Sequence, residues 1–326
     1  MLTVYFHSPC FDGVASAVLA ADFLQSRDGG EPARFEPVNY ELKSTWLSRA
    51  LFPRAAVVDF LYHPAAQFWA DHHATSFLTT EARVDFETRN DRCLVYDPRA
   101  PSCAGLLWNH LAHAFGYRNY RFSPLVSAAE KTDSAAYESP QEAVFGDLPA
   151  LKLNHSLSVG HDAQFYSAHL AALLLQKDID HVLKEPNVSR RVETAERLIR
   201  KGLARIQEAI RITARGTAVF SVKGNDVVIP RYGAFLIAPD APYSVGLVRE
   251  GQRAKITAMR NPWIEFPSVD LGMLFSRHGG GGHLRVASVV LDMRDADSAE
   301  AMLGTIVGEI ESSGTRTAME GSWRDD

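Results

Sequence analysis

Phe68-Trp69-Ala70-Asp71-His72-His73-Ala74-Thr75 is the stretch on which the reading of this chain turns. A short apolar run ends in an aspartate followed at once by two histidines. Adjacent residues on a strand point to opposite faces. At a strand end the chain turns, so one histidine can ligate a metal while the next faces a substrate. Imidazole nitrogen and carboxylate oxygen suit Zn or Mn. A carboxylate beside a ligating histidine can also fix its tautomer from behind. A polar loop with solvated histidines fits the same triplet, and the triplet alone does not choose.

Upstream, Leu2-Thr3-Val4-Tyr5-Phe6 is β-rich and ends at His7. Ser8 to Gly13 reads as a turn holding Cys10 and Asp12, and Val14 to Gln25 is Ala-rich and apolar enough for a helix. That is the strand–loop–helix opening of an α/β sheet. Ala33 to Val38 reads as a second strand. Ala55 to Phe60 is a buried-strand pattern carrying Asp59, and Leu94 to Tyr96 is another strand. Pro101 to Phe115 reads as a helix with proline near its first turn. Leu125 to Ala136 is a further helix, carrying Asp133. Open α/β sheets bind ligands outside the carboxyl ends of their strands. Successive strands here deliver His7 and Asp12, then Asp59, then Asp71, His72 and His73 to such ends. Taken singly, Asp59 fits a helix cap or surface acid, and Asp133 a solvated helix residue. Only the repeated placement argues for one convergent site.

From Pro186 to Arg215 charges and apolar residues alternate at helical spacing, with Val192, Ala195, Leu198, Ile199, Ile206 and Ile210 as the buried stripe. This predicts a helix connecting two domains. Beyond it, Thr217–Val222, Val227–Ile229, Ser244–Val248, Ala254–Met259 and Ala287–Leu291 read as strands, and Ser298–Ser312 as a helix. The expected division is residues 1–185, a linker over 186–215, and a smaller α/β domain over 216–326. Inside the second domain lies Arg277-His278-Gly279-Gly280-Gly281-Gly282-His283. Four consecutive glycines carry a high chain-entropy cost. They let backbone amides approach an anion, and a nest of such amides suits phosphate. His283 and Arg260 can donate to the same group, Arg260 in bidentate fashion. A flexible linker with an incidental histidine is the alternative.

The length of 326 residues suits about two domains. A net charge of -5 excludes a generic polyanion binder, so any nucleotide contact must be local. A long-strand exonuclease would carry more basic surface and more stacking platforms. Three cysteines (Cys10, Cys93, Cys103) make no disulfide framework, which points to a reducing cytoplasm. No signal peptide and no membrane-spanning run is expected. His110, His113, His155, His161, Arg121 and Lys131 read as surface or core positions without a role.

Taken in order, the two motifs resemble the DHH–DHHA1 phosphoesterases over nearly the whole chain, about Leu2 to Ser312. The resemblance implies a mainly parallel α/β domain joined by a helix to a smaller α/β domain. It implies hydrolysis of short nucleotide phosphodiesters or nucleotide phosphomonoesters: short oligonucleotides, 3′-phosphoadenosine 5′-phosphate, or linear and cyclic dinucleotides. It implies two divalent metals, manganese first. Carried over by position, Asp12, Asp59, His72 and Asp133 hold one metal, and Asp59 bridges to a second that His7 also ligates. His73 faces the phosphate, Asp71 supports His72 from behind, and Gly279–Gly282, His283 and Arg260 grip the substrate. The family usually places an aspartate where this chain has Cys10. A thiolate there favours Zn, Fe or Co over Mn; a packed, non-ligating cysteine is equally allowed. A homodimer is compatible with the resemblance. Two other readings stay open: a nucleotide sensor that kept the fold and lost the chemistry, and a pyrophosphatase or polyphosphatase.

Overall fold

Strand β1 (Leu2–His7) is buried at every residue through Phe6, as a run without polar alternation requires in a sheet covered on both faces. The computed structural model describes residues 1–160, 162–292 and 296–320, leaving aside the side chains of His283, Ala296 and 314–320. Helix α1 (Phe11–Asp28) follows and starts earlier than the expected Val14. The cause is local. Cys10 is extended (φ -142°) and its carbonyl accepts the Val14 amide at 3.1 Å, so Phe11, Asp12 and Gly13 form the first turn. A Cβ at Gly13 would lie 2.1 Å from the His7 carbonyl oxygen, so only glycine lets the helix start against the strand. Asp12 therefore sits on a helix and not in a turn.

Strands β2 (Ala33–Val38), β3 (Ala55–Val58), β4 (Phe68–Asp71) and β5 (Leu94–Tyr96) complete a five-stranded sheet of order β2-β1-β3-β4-β5. Every neighbouring pair is parallel. Residue alternation divides two cores across it. Val4, Phe6, Ala56, Val58, Phe68 and Ala70 enter one core with α1. Tyr5, Val57 and Trp69 enter the other with Trp46, Phe60 and Tyr62. Each large side chain fully buried in this way contributes about 1.5–3 kcal/mol.

Helix α2 (Thr80–Arg89) lies between β4 and β5 and is capped by the Thr79 side chain. Helix α3 (Cys103–Phe115) is capped by Ser102. Helix α4 (Ser123–Asp133) ends on Asp133. Four further helices follow: α5 (Pro140–Phe145), α6 (Pro149–Ser156), α7 (Ala163–Gln176) and α8 (Ile179–Leu183). Helix α9 (Pro186–Ala209) carries the chain across a division into two compact units. The first unit is Met1–Tyr137 with Gly146–Ala195, and the second is Glu138–Phe145 with Glu196–Asp326. Val188 and Val192 belong to the first unit's core, and Ile206 to a core of the second. The helix stops short of the expected Arg215, because the β-branched Ile212 and Thr213 leave it for the short strand β6 (Arg211–Ile212).

The second unit holds a six-stranded mixed sheet of order β10-β11-β9-β8-β7-β6. Its members are β7 (Ala218–Lys223), β8 (Tyr243–Glu250), β9 (Arg253–Arg260), β10 (Gly281–His283) and β11 (Val286–Asp292), with helices α10 (Gly233–Ile237), α11 (Leu271–Ser276) and α12 (Ala296–Glu320). The expected strand Val227–Ile229 is absent: the segment is irregular. Its Val228 amide donates to Leu198 O, and the Val228 carbonyl would lie 1.9 Å from a Cβ at Gly202. The segment thus packs on α9 instead of joining the sheet, and Pro230 next to it has no amide to offer a ladder.

Candidate metal centre

Parallel strands end on one edge, and that is why residues distant in sequence meet. Strand β1 delivers His7, β3 delivers Asp59, and β4 delivers Asp71, His72 and His73 to that edge. Asp59 stands at φ 54°, a left-handed conformation costing about 1 kcal/mol, and is held there by its amide donating to Ala70 O at 2.9 Å. Asp12 comes from the first turn of α1. Its carboxylate accepts the Cys103 amide at 2.7 Å and the Ala104 amide at 2.8 Å, so the start of α3 fixes it. Asp133 closes α4 and is the most exposed member, at 30%.

His72 is the hub. Its Nε2 lies 3.6 Å from Asp12 Oδ2, 3.7 Å from Asp59 Oδ1 and 3.2 Å from Asp133 Oδ2. Its Nδ1–H donates to the Ala100 carbonyl at 3.0 Å. A carbonyl can only accept, so the proton is on Nδ1 and Nε2 presents a lone pair to three carboxylates. His7 Nδ1 lies 3.6 Å from the other Asp59 oxygen, Oδ2. Groups of atoms within 4.8 Å of one another are formed by His7, Cys10 and Asp59, by Asp59, His72 and His73, and by Asp12, His72 and Asp133.

Asp71 does something other than expected. It does not back the His72 ring; the Ala100 carbonyl does. Asp71 Oδ1 instead accepts His73 Nδ1–H at 2.8 Å, together with the His72 and His73 backbone amides at 2.8 and 3.3 Å. Its Oδ2 accepts the Ser76 hydroxyl at 2.5 Å. At 0% exposure this carboxylate holds the turn and aims His73. The register of these bonds, one and two residues along the turn, has no signature in residue types. Ala100 and Ser76 escape a reading of the sequence for the same reason, Ala100 because it acts through its backbone.

The buried atoms His7 Nδ1, Asp59 Oδ1 and Oδ2, and His72 Nε2 have no hydrogen-bond partner. Buried polar groups are nearly always satisfied, and an exception calls for an ion or water. Here the facing atoms are acceptors turned on acceptors. A cation resolves that arrangement, and so do protons. Burial, then Asp133, pushes the Asp12 carboxyl up to about 6, against the pull of His72 and the α3 amides. Burial, then Asp12, Asp133 and Asp71, pushes Asp59 well above the usual carboxylate range. Burial, then Asp59, Asp133 and Asp12, likewise raises the Cys10 thiol. Burial, then His73, lowers His7 to about 4. For His73 burial acts downward, but the hydrogen bond and charge of Asp71 win and its imidazole is raised.

In the second unit the glycine run is not the open nest expected. The Gly280 amide donates to Phe275 O at 2.9 Å and the Gly279 amide to Ser276 O at 3.3 Å. These bonds close the C-terminus of α11, with Gly279 at φ 75°. Gly281 and Gly282 pair with Ser288 and Ala287 of β11. Arg260 lies over the Phe266 ring (4.5 Å) and donates to the Asn261 and Phe266 carbonyls at 2.8 and 3.4 Å. The His283 side chain and His161 fall outside the described residues. His110 and His113 bond to the Arg92 and Asn109 carbonyls, and Arg121 lies over Phe122. These are structural contacts.

No family model and no curated protein matches the sequence. Solved structures do match the fold. A pGpG-specific phosphodiesterase, PggH of Vibrio cholerae, superposes with a TM-score of 0.69 at 20% identity, over 94% of this chain and 99% of that one. An exopolyphosphatase-related protein of Bacteroides fragilis gives 0.56 at 14% identity, over 96% and 93%. RecJ of Thermus thermophilus, in complex with Mn2+, gives 0.52 at 13% identity, over 97% of this chain and 52% of RecJ. At such identities the likeness establishes the fold, which this chain shares with these proteins over nearly its whole length.

Proposed function

We propose that this protein is a metal-dependent phosphoesterase that hydrolyses short nucleotide phosphodiesters or nucleotide phosphomonoesters. The observation that carries the reading is the convergence of buried, partnerless acceptors: both Asp59 oxygens, His7 Nδ1 and His72 Nε2. Such a cluster raises the energy of the fold unless a cation or protons enter it, and ionised donors favour the cation. Asp12, His72 and Asp133 would hold one divalent cation, and His7 and Asp59 with Cys10 a second, Asp59 offering one oxygen to each side. Manganese suits oxygen and imidazole donors, and RecJ was solved with it. Such cations supply a water of lowered pKa and positive charge for a phosphate.

The chain's own groups do the rest. The α3 amides hold Asp12 against the repulsion of its neighbours. The Ala100 carbonyl keeps His72 in the tautomer that leaves Nε2 available. Asp71 orients His73 and raises its hold on a proton, so that it would donate to a phosphate oxygen as negative charge builds there. In the second unit, Arg260, Gly281 and His283 are the groups we assign to the substrate. The net charge of -5 favours a small substrate over a long strand. The relative named for pGpG makes a linear dinucleotide the first substrate to try.

The test is direct. Metal-free protein is reloaded separately with Mn, Mg, Co, Zn or Fe(II) and offered pGpG, 3′-phosphoadenosine 5′-phosphate, a cyclic dinucleotide, an aryl phosphodiester and pyrophosphate. Turnover of a nucleotide ester that stops on chelation is expected. Phosphate release from pyrophosphate alone would assign the protein to the pyrophosphatases instead. Nucleotide binding with every substrate left intact would make it a sensor.

A further inference from the structure

The donors of the centre divide into two chemically unequal pockets. Asp12, His72 and Asp133 offer only carboxylate oxygen and imidazole nitrogen. His7, Cys10 and Asp59 offer a sulfur as well, with all three donor atoms within 4.8 Å of one another. Asp59 lies between the pockets, Oδ1 being 3.7 Å from His72 Nε2 and Oδ2 3.6 Å from His7 Nδ1. The second pocket does not stand on the cysteine alone. Asp59 is 1% exposed with neither oxygen bonded, and His7 Nδ1 is also without a partner. Cys10 occupies the position before α1, where its sulfur lies against the Gly13 amide of the first turn and also within 4.8 Å of the His7 and Asp59 donors.

Two carboxylates make the first pocket the harder of the two and open to Mn or Mg, with its one imidazole also accepting Zn, while thiolate shifts the second pocket further toward Zn or Fe. We infer that the protein holds two different cations: a hard one, Mn or Mg, with Asp12, His72 and Asp133, and a thiolate-seeking one, Zn or Fe(II), with His7, Cys10 and Asp59. The inference rests on the proposal that this cluster binds cations at all. On binding, the Cys10 S–H bond breaks, its proton passes to solvent, and the sulfur lone pair forms the bond to the ion.

The experiment titrates metal-free full-length protein with Co2+ alone. It follows the near-ultraviolet thiolate-to-cobalt charge-transfer band and measures bound cobalt by elemental analysis. The expected result is a band that saturates at one cobalt while a second binds without adding to it. Mn2+ then displaces only the cobalt that gives no band. Cys10→Asp should bind cobalt without the band and lose about tenfold or more of its preference for Co over Mn. Cys103→Ala and Cys93→Ser should keep the band, which excludes the other thiols as its source. Cobalt bound to wild-type protein with no band overturns the inference and leaves the metal centre standing. No cobalt bound at all removes the centre itself.

Discussion

Acid should release the cations in a way that counts protons. In the metal-free fold the Asp12 carboxyl titrates at about 6 and Asp59 well above the usual carboxylate range, chiefly because both are buried beside other carboxylates. Each must be ionised to ligate. Below its pKa a group costs about 1.4 kcal/mol, or tenfold in affinity, per pH unit to ionise. As pH drops below about 6, Asp12 lowers affinity about tenfold per unit, and the raised Asp59 carboxyl makes the fall steeper than that. His7 stays neutral down to about 4 and adds nothing in this window. The same shifts set the stability of the metal-free protein. Raised carboxyls stabilise below their unfolded value of 3.8, and Asp12 loses that contribution as pH rises through about 6. Depressed His7 works the other way, losing its contribution as pH falls from 6.5 to about 4. Over about pH 4 to 6 the Asp12 and His7 contributions nearly cancel, so the raised Asp59 carboxyl decides the sign and the metal-free fold weakens as pH rises. The assay is calorimetric titration of Mn2+ at a series of pH values in buffers of differing ionisation enthalpy, which reads released protons directly. Asp12→Asn should lower the slope by one proton. An affinity flat between about pH 5 and 6, or a variant slope unchanged from wild type, would refute the electrostatic reasoning.

Asp59→Asn keeps a residue type that tolerates the left-handed backbone and removes the buried charge. The metal-free variant should be about 1–3 kcal/mol more stable than metal-free wild type near neutral pH, yet gain less than wild type from added Mn2+; chemical denaturation with and without metal reads both. Asp71→Asn should leave metal content near normal while lowering kcat about 10–100-fold, because His73 loses its charged partner; loss of metal instead would show that Asp71 acts on His72. Gly280→Ala puts a Cβ 2.5 Å from Ser288 O and should destabilise by about 1–3 kcal/mol, whereas Gly281→Ala meets no atom within 4 Å and should leave the melting temperature unchanged. A fall in activity in Gly281→Ala at unchanged stability therefore reports substrate contact, and full activity would remove that glycine from the substrate site.

What was legible in the sequence follows from how each residue acts. His7, Asp59 and the Asp71–His73 triplet stand at the ends of apolar runs, and a parallel sheet brings such ends to one edge, so their meeting can be inferred without coordinates. Asp12 could be placed near them but not on a helix, because the early start of α1 depends on the Cys10 carbonyl and on a bare Gly13 beside the His7 carbonyl. Over 140–183 the helices α5, α6 and α8 run only five to eight residues, too few turns for a periodic signal. Val227–Ile229 has strand composition, and only its docking on α9 at Gly202 overrides that preference. The glycine run misled in an instructive way. Glycines can serve an anion or serve the chain, and residue types do not say which. The structure assigns Gly279 and Gly280 to ending α11, and Gly282 to a close approach with a Cβ 2.4 Å from Val286 O. Gly281 alone is left without a reason internal to the chain. The same logic applies at the metal centre. Asp71 is fully used by His73, Ser76 and two amides, while Asp59, equally buried, meets His7, His72 and His73 only at 3.6–3.7 Å, beyond hydrogen-bond reach. Two neighbouring buried aspartates with opposite accounts separate the acid that builds the turn from the acid whose oxygens face three imidazoles without a hydrogen bond.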